Sequence, residues 1–314
     1  MSSLTRLVAI VGPTASGKSS LAFRLGQRFQ GEILSADSMQ VYRKMDIGTA
    51  KPSGEERKLV PHHLIDILEP DQEYSAALFR DQADSIILSL QERRVPIFVA
   101  GGTGLYLKAL THGLFRGPGA DLELRRRLKE RAEREGSRAL HRELALLDPE
   151  AASRIHPGDL LRIIRALEVQ AQAHKPISDF QRDHAFQERP YAVLKIGLFP
   201  QRENLYRRIE ERVEQMIAGG WIEEVRMLLN SGYSRNLKSM SSIGYRHLAG
   251  FLQGETDLSE TIAAIKRDTR RYAKRQMTWF RADKEIHWVD PNGQNESGLE
   301  TLVKNFLDGA PAKT

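Results

Sequence analysis

The segment Gly12-Pro13-Thr14-Ala15-Ser16-Gly17-Lys18-Ser19 has the spacing G-x-x-x-x-G-K-[ST] and directly follows the apolar run Leu7-Val8-Ala9-Ile10-Val11. Its chemistry is that of an anion cradle. Glycines let the backbone curl so that several N–H groups face one point, Lys18 adds a positive charge, and Ser19 offers a hydroxyl to a magnesium ion. A helix over 19–29 aims its positive end at the same place. The implied ligand is a polyphosphate. Asp37 closes the short run Glu32-Ile33-Leu34-Ser35. A carboxylate there can hold magnesium through water or act as a general base, and it is equally suited to cap a helix. Thr103 sits within Gly101-Gly102-Thr103-Gly104, where glycines permit close approach of a ligand and a threonine can also cap a turn.

Several cations are candidate partners for phosphate. Arg208 and Arg212 lie four apart on an amphipathic stretch, so one of them can grip a diphosphate or both can pair with nearby glutamates such as Glu211. Arg162 and Arg165 share one helix face, suited to nucleic-acid phosphate or to solvent. Lys266, Arg267, Arg270, Arg271, Lys274 and Arg275 crowd about three turns opposite Ile262, Ile265, Ala273 and Met277, a density favoured beside an anion. Arg125-Arg126-Arg127 is a weaker case of the same pattern. Trp279 and Phe280 read as core packing more than as a base-stacking platform. His62 and His63 alternate across a strand and cannot readily share one ion, so they read as structural.

The elements that must position these groups alternate. Short apolar runs at 7–11, 32–35, 61–67, 96–100 and 192–198 are separated by amphipathic helices, which predicts a parallel sheet covered on both faces. Ligands of such sheets bind beyond the carboxyl ends of the strands, which brings Asp37 and Thr103 towards the phosphate loop. From Gly117-Pro118-Gly119 the period changes to a charged helical stretch broken at Pro149, Pro157-Gly158 and Lys175-Pro176. The expected fold class is therefore α/β, a P-loop NTPase-like parallel sheet flanked by helices. Residues 1–113 and 190–314 form the core with a helical C-terminal part, and 114–189 form an all-helical insertion domain. Helices over 202–218, 222–229 and 258–281, a strand at 285–289 and a tail helix complete the chain.

The 314 residues are ample for such a core, and no apolar run reaches the ~20 residues of a membrane span. The N-terminus runs straight into the first strand, leaving no room for a secretory signal. Cysteine is absent, which excludes disulfides, thiolate metal sites and cysteine nucleophiles and fits the cytoplasm. A net charge of +6 is compatible with a nucleic-acid partner or with a small anionic substrate alone. No coiled-coil seam is evident, and a monomer is expected.

Taken in order, the phosphate loop, Ser35-Ala36-Asp37-Ser38-Met39-Gln40-Val41-Tyr42, Asp46-Ile47-Gly48-Thr49-Ala50-Lys51-Pro52 and Pro61-His62-His63-Leu64-Ile65-Asp66 resemble the bacterial tRNA dimethylallyltransferases. So do Gly101-Gly102-Thr103-Gly104-Leu105-Tyr106, Arg162-Ile163-Ile164-Arg165-Ala166-Leu167-Glu168, Ile243-Gly244-Tyr245-Arg246 and Lys274-Arg275-Gln276-Met277-Thr278-Trp279-Phe280-Arg281. The likeness spans about residues 7–290. It implies transfer of a dimethylallyl group from dimethylallyl diphosphate to N6 of the adenine immediately 3′ of the tRNA anticodon. By resemblance, Asp37 would be the base and Thr103 would hold the adenine. Gly12, Pro13, Thr14, Ala15, Ser16, Gly17, Lys18, Ser19 and Arg212 would bind the diphosphate, with Mg2+ on Ser19 and on Asp37 through water. The anticodon stem-loop would meet Asp37, Ser38, Met39, Gln40, Thr103, Arg125, Leu161, Arg162, Ile163, Ile164 and Arg165. It would also meet Ser242, Ile243, Gly244, Tyr245, Arg246 and His247. A phosphate loop alone also fits a small-molecule kinase using ATP, or a non-catalytic RNA-binding nucleotide switch. The helical insertion and the basic C-terminal helix argue against the first, and Asp37 and Thr103 beside the loop argue against the second.

Overall fold

A computed structural model describes residues 4–115, 117–290 and 296–310. In chain order the elements are β1 (Arg6–Val11), α1 (Lys18–Phe29), β2 (Glu32–Ser35), α2 (Gly54–Leu59), β3 (His62–His63), α3 (Ala76–Glu92), β4 (Ile97–Gly101) and α4 (Gly104–His112). Then follow α5 (Leu122–Glu135), α6 (Ser137–Leu147), α7 (Pro149–Arg154), α8 (Leu160–Ala173) and α9 (Ile177–His184). The chain closes with β5 (Ala192–Leu198), α10 (Arg202–Ala218), α11 (Trp221–Asn230), α12 (Tyr245–Leu252), α13 (Leu258–Arg281), β6 (Ile286–Val289) and α14 (Glu296–Leu307). Two compact units result: Met1–Thr111 together with Arg189–Thr314, and His112–Glu188.

The first unit is built on a six-stranded parallel sheet of order β3-β2-β4-β1-β5-β6. Its strands obey the alternation expected when both faces are covered. In β1, Leu7, Ala9 and Val11 enter one core with Phe79, Ile87 and Leu90 of α3, Leu107 and Leu110 of α4 and Phe280 of α13. Val8 and Ile10 enter the other with Leu21 and Leu25 of α1 and Val303 and Phe306 of α14. The chain leaves β1 to build one side of the sheet and returns at β5 to build the other. The carboxyl end of β1 is therefore the switch point where α/β sheets bind ligands.

One apolar run does not form the strand its composition predicts. Of 61–67 only His62 and His63 pair with β2. Leu64 and Asp66 take positive φ of 63° and 56°, and Ile67 N–H turns to the Val41 carbonyl. Asp66 is drawn out of extended register by ion pairs with Lys51 and Arg57, the latter at 2.6 Å. His62 donates to the Val60 carbonyl, and His63 bonds Glu32 at 2.6 Å. No cluster of metal-ligating side chains occurs among the described residues.

The second unit is a small helical body around Leu140, Leu144, Ile163, Ile164, Leu167 and Val169. Aspartates start its helices: Asp121, Asp148 and Asp159 each accept a backbone N–H of the first turn through the side chain. Among the described residues, no helix in either unit is long and apolar enough to cross a membrane.

Candidate active site

At the carboxyl end of β1 the loop of residues 12–17 wraps in front of α1. Gly17 begins the helix at φ 93° and Ala15 sits at φ 61°, left-handed positions that turn successive amides to one side. A non-glycine residue held there is strained, as is common where backbone shape serves a ligand. Ser16 is fully buried and its hydroxyl has no hydrogen-bond partner among the described residues. A concave run of N–H groups ahead of a helix is the form of an anion-binding loop.

The loop opens into a cavity of about 470 Å3 within the first unit. Thr14, Ala15, Lys18 and Ser19 line it from the loop, and Asp37, Ser38, Met39 and Gln40 from the end of β2. Arg212 reaches it from α10; Ser242, Ile243, Tyr245 and Arg246 reach it from the start of α12. Val213, Met216 and Trp221 add an apolar wall, and Tyr272, Arg275 and Gln276 come from α13. Among the remaining candidates in this unit, Gly12, Pro13, Ser16 and Gly17 shape the loop from behind. Thr103, Gly244 and His247 stand outside the lining.

The electrostatics centre on Lys18, Asp37 and Arg212. Burial pushes the Lys18 ammonium down to about 8, against the opposing field of Asp37, and the charge of Arg212 pushes the same way as burial. Burial likewise holds the Arg212 guanidinium below its ordinary range, with Asp37 opposing. No ion pair is formed by Arg212 among the described residues, so two desolvated cations face one carboxylate across a cavity. Glu211, its sequence neighbour, pairs loosely with Arg207 at 3.8 Å instead.

Asp37 caps no helix; it closes a turn after β2. Its Oδ1 accepts the N–H groups of Met39 at 2.8 Å and Gln40 at 3.4 Å, fixing the carboxylate. Its Oδ2 makes no hydrogen bond among the described residues. Thr103 Oγ1 accepts the Ser38 N–H at 3.1 Å, so the threonine joins the ends of β4 and β2. Gln40 is held from both ends: its amide donates to the carbonyls of Thr49 and Ala50 and accepts from Ser35 Oγ. That arrangement makes it the clamp of the 48–50 wall and commits both of its amide donors.

Candidates in the second unit have different surroundings. Ile163 and Ile164 are core residues, 0% and 3% exposed, and their side chains cannot reach a partner. Arg125 bonds the fully buried Glu168 at 2.7 and 3.0 Å, and Arg165 bonds it at 2.5 Å. Leu161 and Arg162 are the exposed members of that stretch. On α13, Arg270 pairs with Glu210 and Lys266 with Glu214, both on α10. Arg246 and His247 are anchored to Asp268 at 2.5 and 3.2 Å.

Two buried polar residues that periodicity alone passes over complete the site. Gln276 joins the phosphate loop to the Gly101-Gly102 turn. Glu224 accepts the N–H groups of Asp46, Ile47 and Gly48 and the Tyr245 hydroxyl, at 2.6 to 3.2 Å. Each stands in the buried phase of its helix, beside Ala273 and Phe280 or Trp221 and Leu228, where a polar side chain requires partners.

A parallel α/β sheet with a phosphate loop at its switch point and a carboxylate in the same cavity marks a site that sets a phosphorylated ligand beside a carboxylate. Residues 40–283 match the family model described as IPP transferase, and residues 5–65 that described as isopentenyl transferase. A tRNA dimethylallyltransferase of Geobacter metallireducens is 54% identical, covering 95% of this chain and 97% of its own. The full-length tRNA isopentenylpyrophosphate transferase of Bacillus halodurans superposes with a TM-score of 0.72 at 41% identity, over 96% of this chain and 97% of its own. A eukaryotic dimethylallyltransferase, crystallised acting on tRNA, gives 0.83 at 26% identity over 99% and 81%. The chain belongs to the tRNA dimethylallyltransferase family.

Proposed function

We propose that this chain transfers the dimethylallyl group of dimethylallyl diphosphate to N6 of the adenine 3′-adjacent to a tRNA anticodon, releasing diphosphate. The observation that carries the reading is a single cavity shared by the phosphate loop, the Asp37 carboxylate and an apolar wall. Diphosphate fits the loop amides, Lys18 and Arg212, while a five-carbon chain fits Val213, Met216 and Trp221. Phosphoryl transfer to a small polar acceptor would leave that wall without a task.

The exocyclic amine of adenine is a poor nucleophile because its lone pair is delocalised into the ring. As N6 forms its bond to the allylic carbon, the carbon–oxygen bond breaks and the electron pair leaves with the diphosphate. The N6 proton passes to Asp37 Oδ2, since Oδ1 is engaged with the backbone. Lys18, Arg212 and oriented amides stabilise the departing charge. Mg2+ bound by Ser19 and by Asp37 through water would supply further positive charge to the diphosphate. A magnesium ion held by one or two protein groups plus substrate phosphate suits a site without a protein-only ligand cluster.

Reaching N6 requires the adenine to leave the stacked anticodon loop. Ser38, Met39, Ser242 and Arg246 at the cavity are assigned to its surroundings, and Leu161, Arg162 and the outer cations of α13 to the stem-loop backbone. The protein is proposed to act as a cytoplasmic monomer. Incubating the purified chain with tRNA, Mg2+ and dimethylallyl diphosphate should release diphosphate only when tRNA is present. Release independent of tRNA, or none at all, would refute the reading.

A further inference from the structure

Gln276 is 6% exposed and lies on α13 among cations, in the buried phase of the helix. Its Oε1 accepts the Thr14 N–H at 2.8 Å, and its Nε2 donates to the Gly102 carbonyl at 2.9 Å. One planar amide thus satisfies a donor of the phosphate loop and an acceptor of the turn after β4. The planar amide offers both groups about 2.3 Å apart on one carbon, whereas a carboxylate lacks the donor and leucine lacks both. The turn is shaped to receive it. A Cβ at Gly102 would lie 2.1 Å from Gln276 Nε2, so any larger residue would displace the amide.

We propose that Gln276 is a positioning residue that presets the phosphate loop for diphosphate. By holding the Thr14 N–H, it fixes the strained turn at Ala15 and leaves the following amides to the ligand. By holding Gly102, it sets that loop against the turn leading to Thr103, which in turn bonds Ser38 beside Asp37. The leaving-group site and the proton acceptor are thereby kept in register by one side chain of the basic helix. Affinity for the anion then need not include the ordering of the loop. The inference rests on the diphosphate reading given above.

The test uses the full chain and two variants that reach the amide from opposite sides. Gln276→Leu removes both bonds, and Gly102→Ala keeps the glutamine but pushes its amide away. Inorganic pyrophosphate with Mg2+ is titrated into each protein without tRNA, and KM values for both substrates are then measured. Pyrophosphate Kd is expected to rise about tenfold in each variant, the scale of one lost hydrogen bond. KM for dimethylallyl diphosphate should rise in parallel while KM for tRNA stays within about twofold, a split that general damage to the fold would not produce. Pyrophosphate affinity within about twofold of the unaltered chain in both variants, or equal rises in both KM values, overturns the inference. Failure of the unaltered chain to bind pyrophosphate would remove the diphosphate reading and this inference with it.

Discussion

The cavity of the sheet unit and the core of the helical unit both bring arginine to carboxylate, yet they leave the charges in different states. In the helical unit Arg125 and Arg165 converge on Glu168, which also accepts the Asp121 N–H at 2.8 Å, so each partner is accounted for. In the cavity Arg212 and Lys18 are desolvated beside Asp37, without an ion pair to either among the described residues. Saturated charge builds structure; unsaturated charge, held in place by its surroundings, is ready for a ligand. Arginine in a motif is therefore not evidence of contact with a substrate until its local partners are known.

The widest separation between the two regions should appear at their carboxylates. Asp37→Asn keeps an oxygen for the Met39 and Gln40 amides but loses the proton acceptor, so turnover should fall about 1000-fold while tRNA affinity holds. Single-turnover prenylation together with a tRNA binding titration checks both halves. Glu168→Ala should instead destabilise the chain by about 3 kcal/mol, because it removes the fully buried carboxylate on which Arg125, Arg165 and the Asp121 N–H converge. Chemical denaturation measures that loss, and activity at low temperature should survive it.

Glu168 also gives the comparison a pH signature. Burial raises its carboxyl, but hydrogen bonds from Arg125, Arg165 and the Asp121 N–H outweigh this and hold it below its usual 4.5. Its stabilisation is therefore complete above that value and is lost as pH falls through the lower folded-state value. Glu168→Gln should flatten the acid limb of the stability curve, whereas an unchanged limb would contradict the pairing.

Smaller effects follow from the cations. Arg212→Gln should weaken pyrophosphate binding about 10- to 100-fold with little change in stability, the range for a hydrogen bond to a charged group. Changing Arg271 and Lys274 together to Gln should lower the slope of log tRNA affinity against log salt by about 1 to 2. Arg270→Gln should change that slope less, since Arg270 is held closely by Glu210 whereas Arg271 reaches Asp268 only at 3.5 Å.

Much of this was legible in the residue order. The phosphate loop, Asp37 and the helices over 202–218 and 258–281 follow from spacing and periodicity, and α10 and α13 carry those bounds. Other features depend on long-range partners that periodicity does not carry. The run 61–67 reads as strand until Lys51 and Arg57 pull Asp66 aside. Helix α4 was hidden behind the glycines that precede it. Gln276, Glu224 and Glu168 share one overlooked signal: a polar side chain in the apolar phase of an amphipathic helix. Their partners lie 262, 178 and 43 residues away, beyond any local window.

The central claim is that the phosphate loop serves a leaving group while Asp37 receives the proton from adenine. Mass spectrometry of tRNA after incubation with this chain, Mg2+ and dimethylallyl diphosphate tests it most directly, with the Asp37→Asn variant alongside. The account predicts one dimethylallyl group on the adenine 3′-adjacent to the anticodon, and almost none with the variant. Unmodified tRNA with the unaltered chain, or equal modification by the variant, would contradict it.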